Sequence, residues 1–191
     1  MFVRMAASAV LALTAENVIF AGGAGLSRVL RTAEYPSGAG VGALFVTGFS
    51  LASGFAGYLL SPYFAGPRQV VYPAVLTVAA ALFYLAAAAL LRFFAKKFYE
   101  KYEWMLAQSA ANTVVLAIPF IQQAFQFGIS QTVGYALGTG AAYFFAVLIL
   151  EQAMKTCANP DMPKAFSGLP GVLIYVGILS MVFAGFSGKV F

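Results

Sequence analysis

Apolar residues dominate this chain in long runs, separated by short polar stretches. A membrane-spanning helix needs about 20 mainly apolar residues. Six segments meet that length: Met5 to Leu26, Val41 to Leu60, Val70 to Leu91, Trp104 to Gln122, Val133 to Leu150, and one within Ala165 to Ser187. The fourth and fifth come from a single uncharged run of 47 residues, Trp104 to Leu150. That run is too long for one helix, and the polar stretch Gln122–Gln131, with Gly128 inside it, supplies a turn. The pattern predicts an all-α integral membrane protein with six transmembrane helices in one domain over residues 1–191.

Composition agrees. The chain is 62% hydrophobic and 9% charged, against about 25% charged in a soluble domain. The net charge of +5 then reads as a topology signal, since no basic run alternates with aromatics as nucleic-acid binding would require. The loops after segments one, three and five carry Arg28, Arg31, Arg92, Lys96, Lys97, Lys101, Lys155 and Lys164; the other side carries Arg4, Arg68 and Lys189. Eight against three places the first group in the cytoplasm and both termini outside. Glu16 interrupts the first apolar segment and no cleavage site is evident, so that segment reads as a mature helix.

A short internal repeat runs through the chain. Ala15-Glu16-Asn17-Val18-Ile19-Phe20 matches Ala111-Asn112-Thr113-Val114-Val115-Leu116 around a shared asparagine. Val71-Tyr72-Pro73-Ala74-Val75-Leu76 matches Gly168-Leu169-Pro170-Gly171-Val172-Leu173 at the start of the third helix of each half. With three helices per half, the halves (about 1–94 and 95–191) insert in opposite orientation, as inverted repeats. Both first helices are expected to be broken, by the Gly22–Gly25 run in one half and by Pro119 in the other.

The absence of histidine and the single cysteine, Cys157, remove most nucleophilic and metal chemistry. Glu16 is the exception: about twelve residues into its helix, it is expected near mid-bilayer depth. An acidic residue there costs about 2.5–3.5 kcal/mol even on the lower scales. It is therefore either an ion or proton site or a paired structural carboxyl. Asn17 and Asn112 read first as buried amides bonding between helices, with a shared ion-coupling role as the alternative. Gly22, Gly23 and Gly25 either line a pocket at loosened backbone or allow close helix packing. Cys157 reads as an inert loop thiol beside Asn159-Pro160-Asp161, and Lys96, Lys97 and Lys101 with Glu100 and Glu103 as a solvated face.

The broken helices and the C-terminus resemble a known family, the paired six-helix membrane subunits of the Rnf complex and of the sodium-translocating NADH:quinone reductase. Met162-Pro163-Lys164-Ala165-Phe166 and Phe183-Ala184-Gly185-Phe186-Ser187-Gly188 resemble the last loop and helix of the Rnf A subunit, and of its quinone-reductase counterpart, the E subunit. The outward N-terminus fits that member of the pair. The resemblance implies a multi-pass protein of the bacterial inner membrane. It also implies a homologous six-helix partner among the other subunits of an electron-transport complex, and a [2Fe-2S] cluster at the interface, with two cysteines from each subunit. Here the cluster positions are Ser27, in Gly25-Leu26-Ser27, and Thr113, in Asn112-Thr113. Hydroxyls replace thiolates at both, which argues against a cluster held by this chain. The expected function is a membrane subunit of an ion-translocating complex without its own iron–sulfur ligands. A small secondary transporter or channel, or a scaffold subunit, is the alternative.

Overall fold

A computed structural model describes residues 1–35, 38–64, 69–159 and 162–186. The expected positions of Arg68, Pro160, Asp161, Ser187, Gly188 and Lys189 lie outside the described residues. Among the described residues, eight α-helices follow in order: α1 Phe2–Leu13, α2 Leu26–Ala33, α3 Ala39–Leu60, α4 Tyr72–Phe94, α5 Lys96–Ala110, α6 Thr113–Ala124, α7 Ile129–Cys157 and α8 Leu169–Phe186. Five spans among the described residues are long and apolar enough to cross a membrane, with α5 and α6 together forming one of them, Lys96–Ala124. The chain is an all-α, multi-pass integral membrane protein.

The first segment departs from expectation. Its helix stops at Leu13, well before the glycine run, and the chain turns through residues 14–25 before α2 begins. Arg28 and Arg31 therefore lie on a helix and not in a loop. The second break also moves. It falls at Ala111–Asn112, while Pro119 sits inside α6. Pro119 is accommodated because Gly57 of α3 faces it: a Cβ on Gly57 would stand 2.7 Å from the proline Cβ.

Other helices run past their apolar limits. α5 starts at Lys96, directly after a one-residue break at Ala95, rather than at Trp104. Its charged first turns are tied along the helix, Lys96 to Glu100 at 3.9 Å and Tyr99 Oη donating to Glu103 at 3.0 Å. α7 extends to Cys157, ending with an ion pair from Lys155 to Glu151. Such i, i+4 pairs let a helix continue out of the apolar layer. Cys157 consequently closes α7 and is buried, with its sulfur beside Gly171 of α8.

α7 is the centre of the bundle, with α1, α2, α3 and α8 around it. Small residues make the closest contacts. Cβ atoms on Gly134 and Gly138 would collide with the carbonyls of Met5 and Ala9 on α1, and one on Gly140 with Thr47 of α3. Backbone-to-backbone approach of this kind supplies van der Waals packing that lipid cannot replace. α4 and α8 lie at the edge, with 11% and 17% of their apolar stretches buried. A cavity of about 340 Å³ lies between α4, α5 and α6, lined by Ala80, Tyr84, Ala107 and Ala111.

Replacing Gly138 with Leu is expected to cost about 1–3 kcal/mol by overpacking, whereas Gly177→Leu is neutral, because Gly177 is exposed on α8 with open space around it. Thermal unfolding of the two variants in detergent checks the contrast.

Candidate functional site

Both breaks are built around an asparagine. At the first, the Asn17 Oδ1 accepts from the backbone N–H groups of Ile19 and Phe20, each at 3.1 Å, and its Nδ2 donates to the Leu13 carbonyl at 3.2 Å. The side chain thus ties the last carbonyl of α1 to the turn that follows it. At the second, Asn112 is the N-cap of α6, its Oδ1 accepting from Val114 N–H at 3.1 Å. Side-chain caps satisfy donors that a helix start leaves open. The two amides bond locally, within their own breaks, and not between helices as first expected.

The breaks meet at Gly25. This residue is the N-cap of α2 with φ +69°, a left-handed conformation that suits glycine. A Cβ there would collide with Asn112 Oδ1 and stand 2.7 Å from Val114 Cγ2. Backbone from the first half therefore rests on the capping residue of the second. Asn112 is fully buried, and its Nδ2 lacks a hydrogen-bond partner among the described residues. It lies near the middle of the Lys96–Ala124 span, so this contact is at depth in the apolar layer.

Two tyrosines of α7 brace the region of the first break, Tyr135 the turn itself and Tyr143 the helix α2 that follows it. Tyr135 Oη donates to the Glu16 carbonyl at 2.8 Å, and Tyr143 Oη shares a 2.8 Å hydrogen bond with Thr32 Oγ1 and reaches the Arg28 carbonyl at 3.5 Å. Both rings are buried. Sequence reasoning missed them, although a tyrosine in an uncharged membrane run signals a hydroxyl that needs a partner.

Glu16 is not on a helix. It stands in the turn beyond the C-terminus of α1, half-buried, in a cleft with Asn17, Val18, Ala21, Gly22, Ile121 and Tyr135. Ile121 is close to the end of α6 and Tyr135 close to the start of α7. The cleft therefore lies toward the α6–α7 end of the bundle and not at the mid-bilayer depth first expected. Gly22 fits because its Cα hydrogen faces the Val18 carbonyl, 2.7 Å from where a Cβ would stand; Gly23 has φ +64° and open space. Of the six ion-coupling candidates, Glu16, Asn17 and Gly22 come together in this cleft, and Gly25 and Asn112 in the deeper contact.

Ser27 and Thr113 lie in the first turns of α2 and α6, each next to the Gly25–Asn112 contact, and both are exposed. Their hydroxyls do not fit an iron–sulfur cluster, which requires thiolates. The one thiol of the chain, Cys157, is buried at the far end of α7. Among the described residues no group of three or more His, Cys, Asp or Glu side chains is placed to hold a metal.

The asparagines differ in what they hold, and so should their variants. Asn17→Ala loses three bonds and is expected to cost about 2 kcal/mol. Asn112→Ala loses one and also removes an unsatisfied buried donor, for a net cost of about 1 kcal/mol or less. Thermal unfolding in detergent ranks them.

No family model matches the chain. It is 30% identical over 92 residues, 48% of either chain, to the A subunit of the proton-translocating ferredoxin:NAD(+) oxidoreductase complex of Clostridium ljungdahlii. Over longer stretches it is 24% identical to the A subunit of the ion-translocating oxidoreductase complex of Aromatoleum aromaticum (164 residues, 85% of this chain and 83% of that one). It is 26% identical to the A subunit of the Na(+)-translocating ferredoxin:NAD(+) oxidoreductase complex of Acetobacterium woodii (168 residues, 86% and 83%). The alignment thus spans about half the length of the first relative and most of the other two. These curated relatives are A subunits of ion-translocating oxidoreductase complexes, the same proteins that the sequence motifs resemble.

Proposed function

We propose that this chain is a membrane subunit of an Rnf-like ion-translocating electron-transport complex, and that the face carrying Ser27 and Thr113 pairs with a homologous six-helix chain. The observation that carries the reading is the pair of interlocked breaks at Gly25 and Asn112. Around them Ser27, Ala111 and Thr113 are exposed. Irregular backbone at membrane depth is tolerated where protein or a water-filled cavity covers it, not against lipid. A neighbouring subunit supplies that cover.

The element series supports two inverted repeats, about 1–94 and 95–191. A broken first helix is followed by two continuous ones in each half, α1/α2 with α3 and α4, then α5/α6 with α7 and α8. The distribution of lysine and arginine supports an orientation with both termini outside, and the likeness to Rnf A subunits supports the bacterial inner membrane. With hydroxyls at Ser27 and Thr113, ligation of a cluster in the proposed complex falls to other subunits. This chain contributes the membrane core and the ion-coupling residues.

Purification in mild detergent tests the proposal, with mass spectrometry of the accompanying chains and assays for iron and acid-labile sulfide. A homologous six-helix chain is expected to accompany it, with no iron attributable to Ser27 or Thr113. Recovery alone or as a homodimer would overturn the reading in favour of a small transporter.

A further inference from the structure

We propose that the seam between α4 and α5 seats one phospholipid with an ethanolamine headgroup, its acyl chain in the apolar cavity and its head against Arg92 and Glu103. The site does not depend on the subunit role proposed above.

The seam has two ends of different chemistry. One is the cavity of about 340 Å³ lined by Ala80, Ala81, Tyr84, Ala107, Ala110 and Ala111. The other is a cavity of about 300 Å³ lined by Arg92, Lys96, Tyr99, Glu100 and Glu103. Both follow the same two helix faces. On α4, Ala81, Tyr84, Ala88 and Arg92 recur every three or four residues, and on α5 so do Lys96, Tyr99, Glu103, Ala107 and Ala110. Glu103 of the polar cavity is thus one turn from Ala107 of the apolar one. Tyr84 is also near enough to Tyr99 to interact with it across the seam. The polar cavity stands at the charged end of the α5–α6 span, where Phe93 and Phe94 are exposed beside Lys96 and Lys97. Charged and aromatic side chains gather at headgroup level. An apolar slot that opens into a polar pocket at that level has the amphiphilic form of a lipid.

Size argues against a protein occupant. A helix with its side chains is about 10 Å across, so two turns of one fill roughly 850 Å³. The apolar cavity is well below that, and α4 and α5 are joined at its polar end through the single residue Ala95. A helix could only lie across the mouth, whereas a hydrocarbon chain enters.

The charges select the headgroup. Two cations and two carboxylates line the polar cavity. Lys96 and Glu100 pair with each other at 3.9 Å. That leaves Arg92, which makes no ion pair among the described residues, and Glu103, which accepts only from the neutral Tyr99 hydroxyl at 3.0 Å. One open positive and one open negative charge match a zwitterion. The Arg92 fork suits a phosphate, and the Glu103 carboxylate accepts from a primary ammonium. A choline head has no N–H to donate, and a glycerol head brings no positive charge to Glu103.

The test places the full chain, with the chains that accompany it, in vesicles of phosphatidylcholine. These contain a trace of phospholipid with a photoreactive acyl chain and an ethanolamine, choline or glycerol head. Adducts are mapped by peptide mass spectrometry, with the exposed face of α8 (Leu173, Ile178) as the reference for bulk lipid. The ethanolamine probe is expected to label α4 and α5 at the apolar cavity about fivefold more than the choline probe does, the scale of one hydrogen bond at an exposed site. On α8 the three probes label equally. Arg92→Gln and Glu103→Gln are each expected to remove most of that preference, and Ala81→Phe to lower labelling of the seam by every probe. Equal labelling of the seam by the three heads would overturn the site in favour of bulk lipid. Preference for the glycerol head would overturn it in favour of a plain anion site, and seam labelling below that of α8 in favour of a protein cover. The comparison of heads on the unsubstituted chain decides this without the variants.

Discussion

Inside a bilayer the backbone must satisfy its own hydrogen bonds, and that single constraint organises this protein. A continuous helix meets it automatically. A broken helix does not, and this chain is broken twice. Each break is made tolerable by an asparagine whose side chain replaces the missing helical partners, Asn17 for Ile19, Phe20 and Leu13, and Asn112 for Val114. Remove that side chain and those donors and acceptors are left open to an apolar medium, which destabilises the break.

The rest of the bundle is arranged around those two points. α7 presents glycines to α1 so that backbones approach closely, Tyr135 to the Glu16 carbonyl in the first break, and Tyr143 to Thr32 and Arg28 of α2. α3 presents Gly57 to Pro119, which allows the second half-helix to pass close by. Gly25 brings the two breaks into contact at depth, while Glu16 stands apart in a cleft near one end of the bundle. One break therefore offers a charged cleft with an exposed mouth, and the junction of the two offers an exposed pair of hydroxyls.

Much of this was legible in the sequence. The apolar runs located α3, α4, α7 and α8, and the Gln122–Gln131 turn fell where α6 gives way to α7, while the shared asparagine, read as an inter-helix amide, turned out to sit at both breaks. What the pattern could not convey was which local cause acts. A glycine run and a proline are generic breakers, yet α1 stops at Leu13 because Asn17 captures its carbonyl, and Pro119 stays helical because Gly57 leaves it room. Hydropathy also truncates helices at the first charge, whereas Lys96–Glu100 and Glu151–Lys155 pairs carry α5 and α7 further. The roles of Tyr135 and Tyr143 depend on contacts more than 100 residues apart in sequence, beyond any local pattern. Depth was misjudged for Glu16 because residue counting assumes a continuous helix.

The central claim is that the exposed surface beside the two breaks faces protein and not lipid. Site-specific photo-crosslinkers at Ser27 and Thr113, introduced in the cell, test it most directly, with Leu82 on the exposed face of α4 as reference. The account predicts that both positions capture the same homologous six-helix membrane protein, in higher yield than Leu82 does. Capture of lipid alone, or of a second copy of this chain, would contradict it.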